Sequence, residues 1–179
     1  SPDATEQAGA VVDSTTNRLY VSLYNGSAWQ NGEGGTVKNL GEIAGSSTRC
    51  FHLTYERLSG RLMIVAGTTT GGQIKYWVWN GNSWEINGYT YNLSTVDKPL
   101  AWIELASHPT TNQIVLIAVD QDRDAVALVW NAAAYTWGNE KKLNTGPLPT
   151  YTEEQIAVAY MESGTNFGKA VFVWAEDDT

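Results

Sequence analysis

The residues around Asp122 carry the pattern in this chain that is most typical of metal binding. Asp120, Asp122 and Asp124 alternate with other residues, and alternating carboxylates can present hard oxygen ligands to Ca²⁺. The rest of an EF-hand loop is missing, because Ala125 stands at its glycine position and Asn131 at its final acidic position. A solvated turn between two strands explains the same residues. We therefore expect no cofactor, with Ca²⁺ at the three aspartates as the alternative.

Residues capable of catalysis are present, but they do not form a recognisable set. Cys50 and His52 could bind a metal or form an activated thiol, yet no third group accompanies them. A single cysteine also excludes an intrachain disulfide. Glycoside hydrolysis needs two carboxyl groups about 5–10 Å apart, and Glu56, Glu104 and Glu162 occupy different registers on or near predicted strands. The sequence therefore predicts a protein without enzymatic activity, with a glycoside hydrolase as the alternative.

Tryptophan offers a different chemistry, because the chain has 8 tryptophans and 9 tyrosines against 3 phenylalanines. The rings of Trp and Tyr stack on the apolar faces of sugars, while their polar edges tolerate water. Trp29, Trp84 and Trp137 stand at one repeated position, and Asn25 and Asn80 precede the first two. These five residues are the candidate sugar-binding set. Packing between repeats explains the same tryptophans, and their periodicity favours this second interpretation.

The repeated position belongs to a strand-and-turn motif that occurs three times. Residues 19–29, 74–84 and 125–137 each contain an alternating strand, an Asn turn and a closing Trp. Asn-Gly at the first two turns supplies the two residues of positive φ that a tight hairpin requires. The third copy has Ala132 in place of the glycine, together with two additional residues, which predicts a wider turn. The turn asparagines are separated by 55 and then by 51 positions.

Two further strands precede this motif in each complete copy. These pairs of strands are residues 51–56 with 61–66, and residues 101–107 with 113–119. A last strand is expected after each Trp, at residues 36–40, 89–93 and 141–144. Four short antiparallel strands in about 50 residues are the unit of a β-propeller blade. No segment has a sustained period of 3.6 residues, so we expect very little helix.

These strands predict an all-β fold of antiparallel, four-stranded propeller blades, with a β-sandwich as the alternative. About thirteen strands amount to roughly three blades, whereas closed propellers have four to eight. We expect a single repeat domain over residues 1–179, whose ring is incomplete. Its parts are a surplus N-terminal strand (1–17), a partial blade (18–45), two blades (46–97 and 98–150) and a second partial blade (151–179).

A propeller ring is commonly closed by one blade that combines strands from both ends of the chain, and the N-terminal strand has no place in such a blade. Residues 8–13 and the last strand of the chain both align with the second strand of a blade, so two segments compete for one position. Ala8, Ala10, Val11 and Val12 could instead pair with an incomplete sheet of a neighbouring chain. We therefore expect a homo-oligomer formed by blade completion or strand exchange, or a chain that is part of a longer array.

The charge and hydropathy of the chain exclude several partners. The net charge is −8, and the 11 Lys and Arg residues do not cluster, so a phosphate-binding footprint for nucleic acid is missing. No apolar run approaches the ~20 residues of a membrane-spanning helix. No signal peptide is visible, and Ser1 is typical of a mature or trimmed start. We expect neither nucleic-acid binding nor membrane insertion.

Residues 55–65 (YERLSGRLMIV) and 79–84 (WNGNSW) resemble bacterial and archaeal extracellular propeller repeats, whose pattern is written loosely as YExxSG…VV…W(N/D)GxxW. The likeness extends over nearly the whole chain, and residues 159–164 match it less well. The turn is also similar, more distantly, to the Asp-box of sialidases and to Trp-rich turns of propeller lectins. The chain departs from both, since it has no S-x-D-x-G-x-T-W box and its arginines form no three-arginine cluster.

The resemblance implies an extracellular or cell-surface location. The repeat, the incomplete ring, the acidity and the lack of a catalytic set favour a non-enzymatic repeat module for self-assembly or adhesion. A lectin-like, carbohydrate-binding propeller is the alternative hypothesis, with glycans as partners and the Trp-rich turns as platforms. Fold analogy alone assigns neither function.

Overall fold

A computed structural model describes residues 5–45 and 47–177, and all regular structure in these ranges is β-strand. The strands are β1 (Gln7–Asp13), β2 (Arg18–Tyr24), β3 (Trp29–Gln30), β4 (Lys38–Glu42), β5 (Phe51–Tyr55), β6 (Leu62–Gly67), β7 (Gln73–Trp79), β8 (Trp84–Asn92), β9 (Leu100–Ser107), β10 (Ile114–Asp120), β11 (Ala125–Asn131), β12 (Thr136–Lys142), β13 (Ile156–Tyr160) and β14 (Ala170–Trp174). Among the described residues there is no helix of the length and apolarity that crossing a bilayer requires. The all-β prediction is confirmed.

The strands form four antiparallel sheets in chain order, which we call the first to fourth blades. The second blade (β5–β8) and the third blade (β9–β12) are simple four-stranded meanders. In the first blade, β1 pairs with one edge of β2, while β3 and β4 share its other edge. The fourth blade consists of β13 and β14. The prediction of four-stranded propeller blades is confirmed, with two complete blades and two partial ones.

The Asn turns join the third and fourth strands of a blade more closely than expected. Trp79 lies directly opposite Trp84, and Trp130 lies directly opposite Trp137. The last strand of the second blade therefore begins at Trp84 itself, whereas the sequence predicted a start at residue 89, and β12 differs in the same way. The reason is that a tight turn brings the residues on its two sides into immediate pairing.

The N-terminal strand is an integral part of the first blade, so the prediction of a surplus extension is corrected. β1 pairs with β2 along its whole length, from Gln7 opposite Tyr24 to Asp13 opposite Arg18. It occupies the second-strand position of its blade, and β14 occupies the same position in the fourth blade, so the two do not compete. Residues 1–4 of the predicted extension, residue 46 at the predicted start of the second blade, and residues 178–179 lie outside the described residues.

The core consists of three apolar layers, each enclosed between two successive blades. Strand alternation produces this arrangement. In β6, Leu62 and Ile64 belong to the layer shared with the first blade, whereas Met63 and Val65 belong to the layer shared with the third. β6 and β10 are buried on both faces for this reason, and they consequently read as continuous apolar runs. Successive stacking of this kind distinguishes the fold from the two facing sheets of a sandwich.

The innermost strands β5, β9 and β13 lie side by side around the axis of the incomplete ring. The hydroxyl groups of Thr54 and Ser107 are 2.9 Å apart between β5 and β9. The backbone N–H of Val158 in β13 donates to Oε2 of Glu104 in β9 at 3.2 Å. Because the three strands run in the same direction, the loops that follow them meet at one end of the axis.

Candidate functional site

The asparagines of the candidate sugar-binding set hold the hairpin turns. Oδ1 of Asn25 accepts hydrogen bonds from the backbone N–H groups of Ser27 at 3.0 Å and Ala28 at 2.9 Å. Oδ1 of Asn80 accepts equivalent bonds from the two residues at the same spacing, at 2.9 and 2.8 Å. The glycine after each asparagine has a φ of 93°, which favours glycine because it has no Cβ. The asparagine carbonyl groups are therefore committed to the turns.

The three tryptophans of the set differ in exposure. Trp137 is only 2% exposed, in an aromatic cluster with Tyr76 and Trp130. Trp84 is partly buried, and its Nε1 donates to the carbonyl of Asn31 in the first blade at 3.0 Å. Trp29 is 49% exposed, and its ring packs against the ring of Tyr24 with a centroid distance of 5.4 Å. Only Trp29 of the three offers a ring face to a ligand in solvent.

The second and third tryptophans are covered by the preceding blade, and this determines their burial. Trp84 belongs to the layer between the first and second blades, and Trp137 to the layer between the second and third. Trp29 lies on the corresponding face of the first blade, which no described blade precedes. The core interpretation therefore fits Trp84 and Trp137, as the periodicity favoured.

The acidic turn is organised by its own hydrogen bonds. Oδ1 of the buried Asp120 accepts from the backbone N–H groups of Asp122 at 2.9 Å and Asp124 at 3.0 Å, and burial raises the pKa of Asp120. The carboxylates of Asp122 and Asp124 form ion pairs with Lys98 at 3.2 Å and Lys142 at 2.7 Å. Within residues 5–45 and 47–177, no group of three or more His, Cys, Asp or Glu side chains is arranged to hold a metal ion. Hydrogen bonds and ion pairs within the chain therefore hold the three aspartates in this turn.

The strand residues proposed for assembly are paired within the chain. Ala8, Ala10 and Val12 pack against the layer between the first and second blades. Val11 points away from that layer and is exposed. The described structure thus uses β1 to build its own blade, where it is an edge strand that pairs with β2 alone.

Two of the three glutamates considered for catalysis are held by structural partners. Glu56 is 1% exposed, and its Oε1 accepts a hydrogen bond from Nε1 of Trp130 at 2.7 Å. Glu104 forms an ion pair with Arg49 at 3.0 Å, and Arg49 also pairs with Glu154. Glu162 is exposed. The structure therefore leaves Glu162 as the one member of this trio that faces solvent without a described ion pair.

Cys50 directly precedes β5, and His52 is the second residue of that strand. Burial raises the pKa of the Cys50 thiol, and its Sγ lies 3.2 Å from the carbonyl oxygen of Gly45. Burial and the nearby Arg49 lower the pKa of His52. Nδ1 of His52 is buried and has no hydrogen-bond partner among the described residues. These surroundings favour the protonated thiol of Cys50 and the neutral imidazole of His52.

The most promising site is an open cavity where the loops after the innermost strands meet. We call this cavity, of about 710 Å³, the axial pocket. Its lining combines aromatic, charged and hydroxyl groups. The lining residues are Thr54, Tyr55, Arg57, Ser107, His108, Pro109, Thr110, Glu162 and Phe167. Its volume lies within the range of about 300–1,000 Å³ that is usual for small-molecule sites.

Packing fixes the imidazole of His108 in the wall of the axial pocket. Its ring stacks edge-on against Tyr160 and Phe167, with centroid distances of 4.9 and 6.4 Å, and its Nδ1 accepts from the backbone N–H of Thr110 at 3.2 Å. Gly168 has a φ of 74°, and a Cβ there would lie 2.7 Å from Nε2 of His108. The close approach of the loop to His108 therefore requires glycine at this position.

Arg57, Glu162 and Phe167 are exposed residues in the lining of the axial pocket. Sequence reasoning did not select Arg57 or Phe167. A signal was nevertheless available, because Arg57, His108 and Glu162 each stand one or two residues after the innermost strand of their blade. Equivalent positions in successive repeats approach one another around the axis of a propeller.

No protein-family model matches the chain, and no curated protein matches its sequence. Among solved structures, the NanB sialidase of Streptococcus pneumoniae is similar, with a TM-score of 0.55 and 13% identity over 87% of this chain and 23% of the sialidase. AofleA from Arthrobotrys oligospora has a TM-score of 0.47 and 13% identity, over 93% of this chain and 48% of its own. The Aleuria aurantia lectin, in complex with Fucα1-6GlcNAc, has a TM-score of 0.46 and 15% identity over 86% and 50%.

The first of these similarities supports the propeller fold and carries no information about activity. The chain spans less than a quarter of the sialidase to which it is similar, since the match covers 23% of that protein. The function of this chain must therefore be argued from its own residues.

Proposed function

We propose that this chain is a carbohydrate-binding propeller module that binds its ligand in the axial pocket. The observation that carries the proposal is the composition of that pocket, where one exposed aromatic ring stands beside a guanidinium, a carboxylate and several hydroxyl groups. Sugars present apolar C–H faces together with many hydroxyl groups, so they need this combination of stacking and polar partners. A lectin-like propeller is also the alternative hypothesis from the sequence, but the binding residues proposed here differ from the Trp-rich turns.

Each group in the axial pocket has a role that suits a sugar. The exposed ring of Phe167 can stack on a pyranose face. The guanidinium of Arg57 donates hydrogen bonds, and the carboxylate of Glu162 accepts them, so together they can hold adjacent hydroxyl groups. Ser107 donates from its Oγ to the carbonyl of Tyr55 at 2.5 Å and accepts from Thr54. These bonds hold the two hydroxyl groups in place in the pocket lining.

Binding without hydrolysis is the function that these groups support. Hydrolysis requires a second carboxyl group across the sugar from the first, and Glu162 is the only carboxyl residue in the described lining of the axial pocket. We therefore propose a lectin-like role rather than a glycosidase.

The proposal is tested by screening the chain on a glycan array and titrating the best ligand by calorimetry. Phe167→Ala and Arg57→Ala should each weaken binding by roughly 5- to 150-fold, since one stacking ring or one charged hydrogen bond is worth about 1–3 kcal/mol. Leu58→Ala is the matched control, because Leu58 is exposed beside Arg57 but does not line the pocket. No binding to any glycan would contradict the proposal. So would a result in which Trp29→Ala loses binding while Phe167→Ala keeps it.

Self-assembly is a second candidate function. The observation that favours it is the exposure of apolar side chains on the outward faces of the first and fourth blades, which include Val11, Trp29, Val171 and Val173. Assembly and carbohydrate binding use different surfaces, so one chain can perform both. We further propose an extracellular or cell-surface location, where a glycan-binding array would meet its ligands.

A further inference from the structure

The walls of the axial pocket come from three successive blades. The second blade supplies the wall with Arg57, and the fourth blade supplies the wall with Glu162 and Phe167. The third blade contributes the wall between them, which consists of Ser107 and the first residues of the turn from β9 to β10. We call this turn, residues 108–113, the central turn. Its side chains contact both of the neighbouring walls.

On one side, the central turn holds the loop that carries Arg57. Oδ1 of Asn112 accepts hydrogen bonds from the backbone N–H groups of Leu58 and Ser59, both at 2.9 Å. Leu58 directly follows Arg57 in the chain. An amide oxygen can accept two hydrogen bonds, and here both restrict the backbone beside Arg57. They therefore restrict where the guanidinium of Arg57 can lie.

On the other side, the central turn holds the fourth blade. Oε1 of Gln113 accepts a hydrogen bond from the hydroxyl group of Tyr160 at 3.0 Å, and the ring of Tyr160 packs edge-on against the imidazole of His108. The same imidazole lies so close to Gly168 that a Cβ there would come within 2.7 Å of Nε2. Tyr160 and Gly168 flank residues 161–167, which include both fourth-blade residues of the pocket lining.

The central turn is also held by bonds of its own. The backbone N–H of His108 donates to the carbonyl of Gln113 at 2.9 Å, and Oγ1 of Thr111 accepts from the backbone N–H of Gln113 at 3.2 Å. The ring of Pro109 fixes one backbone angle within the turn. Because the turn is closed in this way, it can act as a spacer that keeps its two neighbours at a constant distance.

The corresponding turn of the second blade does not contain this pair of side chains. Both turns have six residues between the paired ends of their strands, so Gly60 and Arg61 correspond to Asn112 and Gln113. Glycine has no side chain that could accept a hydrogen bond, and the guanidinium of arginine has only donors. Two acceptor side chains at these positions are therefore not a feature of the repeat, and they occur in the turn that lies between the other two walls of the pocket.

We propose that Asn112 and Gln113 are positioning residues of the axial pocket, which hold its second-blade and fourth-blade walls at a fixed separation and thereby set the affinity and the size selectivity of glycan binding. The inference rests on the proposed carbohydrate-binding function and deepens it. Neither residue is in the described lining of the pocket, so both act through the residues of the two walls. A site that is already ordered loses less conformational entropy when its ligand binds.

The first experiment needs no glycan and measures amide hydrogen exchange of the full chain by NMR. In Asn112→Ala, the amides of Leu58 and Ser59 should exchange roughly 2- to 12-fold faster, as expected for the loss of one hydrogen bond. Asn112→Asp keeps an oxygen acceptor and should exchange as the parent chain does. Asn82→Ala is the matched control, because Asn82 is exposed in a hairpin turn away from the pocket. Unchanged exchange of the two amides in Asn112→Ala would overturn the proposal.

The second experiment is calorimetry with the array glycan that gives the strongest signal for the parent chain. Asn112→Ala and Gln113→Ala should each weaken binding by roughly 2- to 12-fold, with Asn112→Asp close to the parent chain. Because Asn112 acts through Arg57, Arg57→Ala should weaken binding less in the Asn112→Ala background than in the parent chain. Gln113→Ala and Tyr160→Phe remove the same hydrogen bond, so their effects should not add. Both alanine variants should also discriminate less between this glycan and the same glycan extended by one sugar.

The outcomes separate this inference from the function on which it rests. Absence of glycan binding by the parent chain would refute the proposed function, whatever the exchange rates are. Binding by the parent chain with unchanged affinity in Asn112→Ala and Gln113→Ala would refute the positioning role alone. Additive effects of Asn112→Ala and Arg57→Ala would likewise overturn it, because they would show that Asn112 does not act through Arg57.

Discussion

Replacing Glu56 by alanine tests how the second and third blades are joined. Glu56 stands just after the innermost strand of the second blade, and its Oε1 accepts from Nε1 of Trp130 in the third blade at 2.7 Å. Its other oxygen accepts from Oγ of Ser59 at 2.5 Å and lies 3.6 Å from Nη1 of Arg61. The hydrogen bond to Trp130 therefore crosses the largest apolar layer of the molecule.

The expected cost follows from burial. Glu56→Ala removes a hydrogen bond to a charged acceptor and leaves the buried indole N–H of Trp130 without its partner. Each effect is worth about 1–3 kcal/mol, so the free energy of unfolding should fall by about 3 kcal/mol. For a chain of this size the melting temperature should then fall by roughly 6–12 °C.

The assay is thermal and urea unfolding followed by circular dichroism, with Glu162→Ala as the control. Glu162 is exposed, so its removal should change stability by less than about 0.5 kcal/mol. A double-mutant cycle with Trp130→Phe, which deletes the indole N–H, should give a coupling energy of about 1–2 kcal/mol. A Glu56→Ala variant as stable as the parent chain, or additive effects of the two substitutions, would show that this hydrogen bond does not join the blades.

Three further predictions concern side chains of the second blade and of the residue that directly precedes it. Burial, and to a smaller extent the charge of Arg49, lowers the pKa of His52 in the folded chain. As the pH drops below about 6.5, the unfolded chain therefore binds a proton at His52 before the folded chain does, and the free energy of unfolding should fall. His52→Gln should remove that part of the pH dependence in urea titrations. Burial raises the pKa of the Cys50 thiol, so a thiol reagent at about pH 8 should label the unfolded chain but not the native one. Asn80→Ala removes the acceptor of two turn N–H groups and should lower the free energy of unfolding by about 1 kcal/mol. An unchanged urea midpoint would show that the turn does not need this acceptor.

Local features of the sequence were sufficient to predict most of the fold. Alternating apolar residues and the Asn-Gly turns locate the strands, because strand faces and positive φ are properties of a few neighbouring residues. Those features do not say how strands from distant parts of the chain combine. The role of β1 as the second strand of a blade depends on its pairing with β2, and the burial of Trp84 depends on a blade that precedes it.

The candidate site was less accessible to sequence reasoning, for a physical reason. Arg57, His108 and Glu162 are about 50 residues apart along the chain, and no motif links them, because their proximity is created by the ring. The repeat itself supplied the missing information, since all three follow an innermost strand. The sequence favoured the tryptophans instead, because their number can be read from the composition, whereas their burial by a neighbouring blade cannot.

Carbohydrate binding in the axial pocket is tested most directly by two-dimensional NMR of the isotopically labelled chain during titration with the glycan selected on the array. We expect shift changes in the backbone signals of the loops after β5, β9 and β13, with Arg57, His108 and Phe167 among the largest. Shift changes centred on the indole signal of Trp29, or no shift changes with any glycan at millimolar concentration, would contradict it.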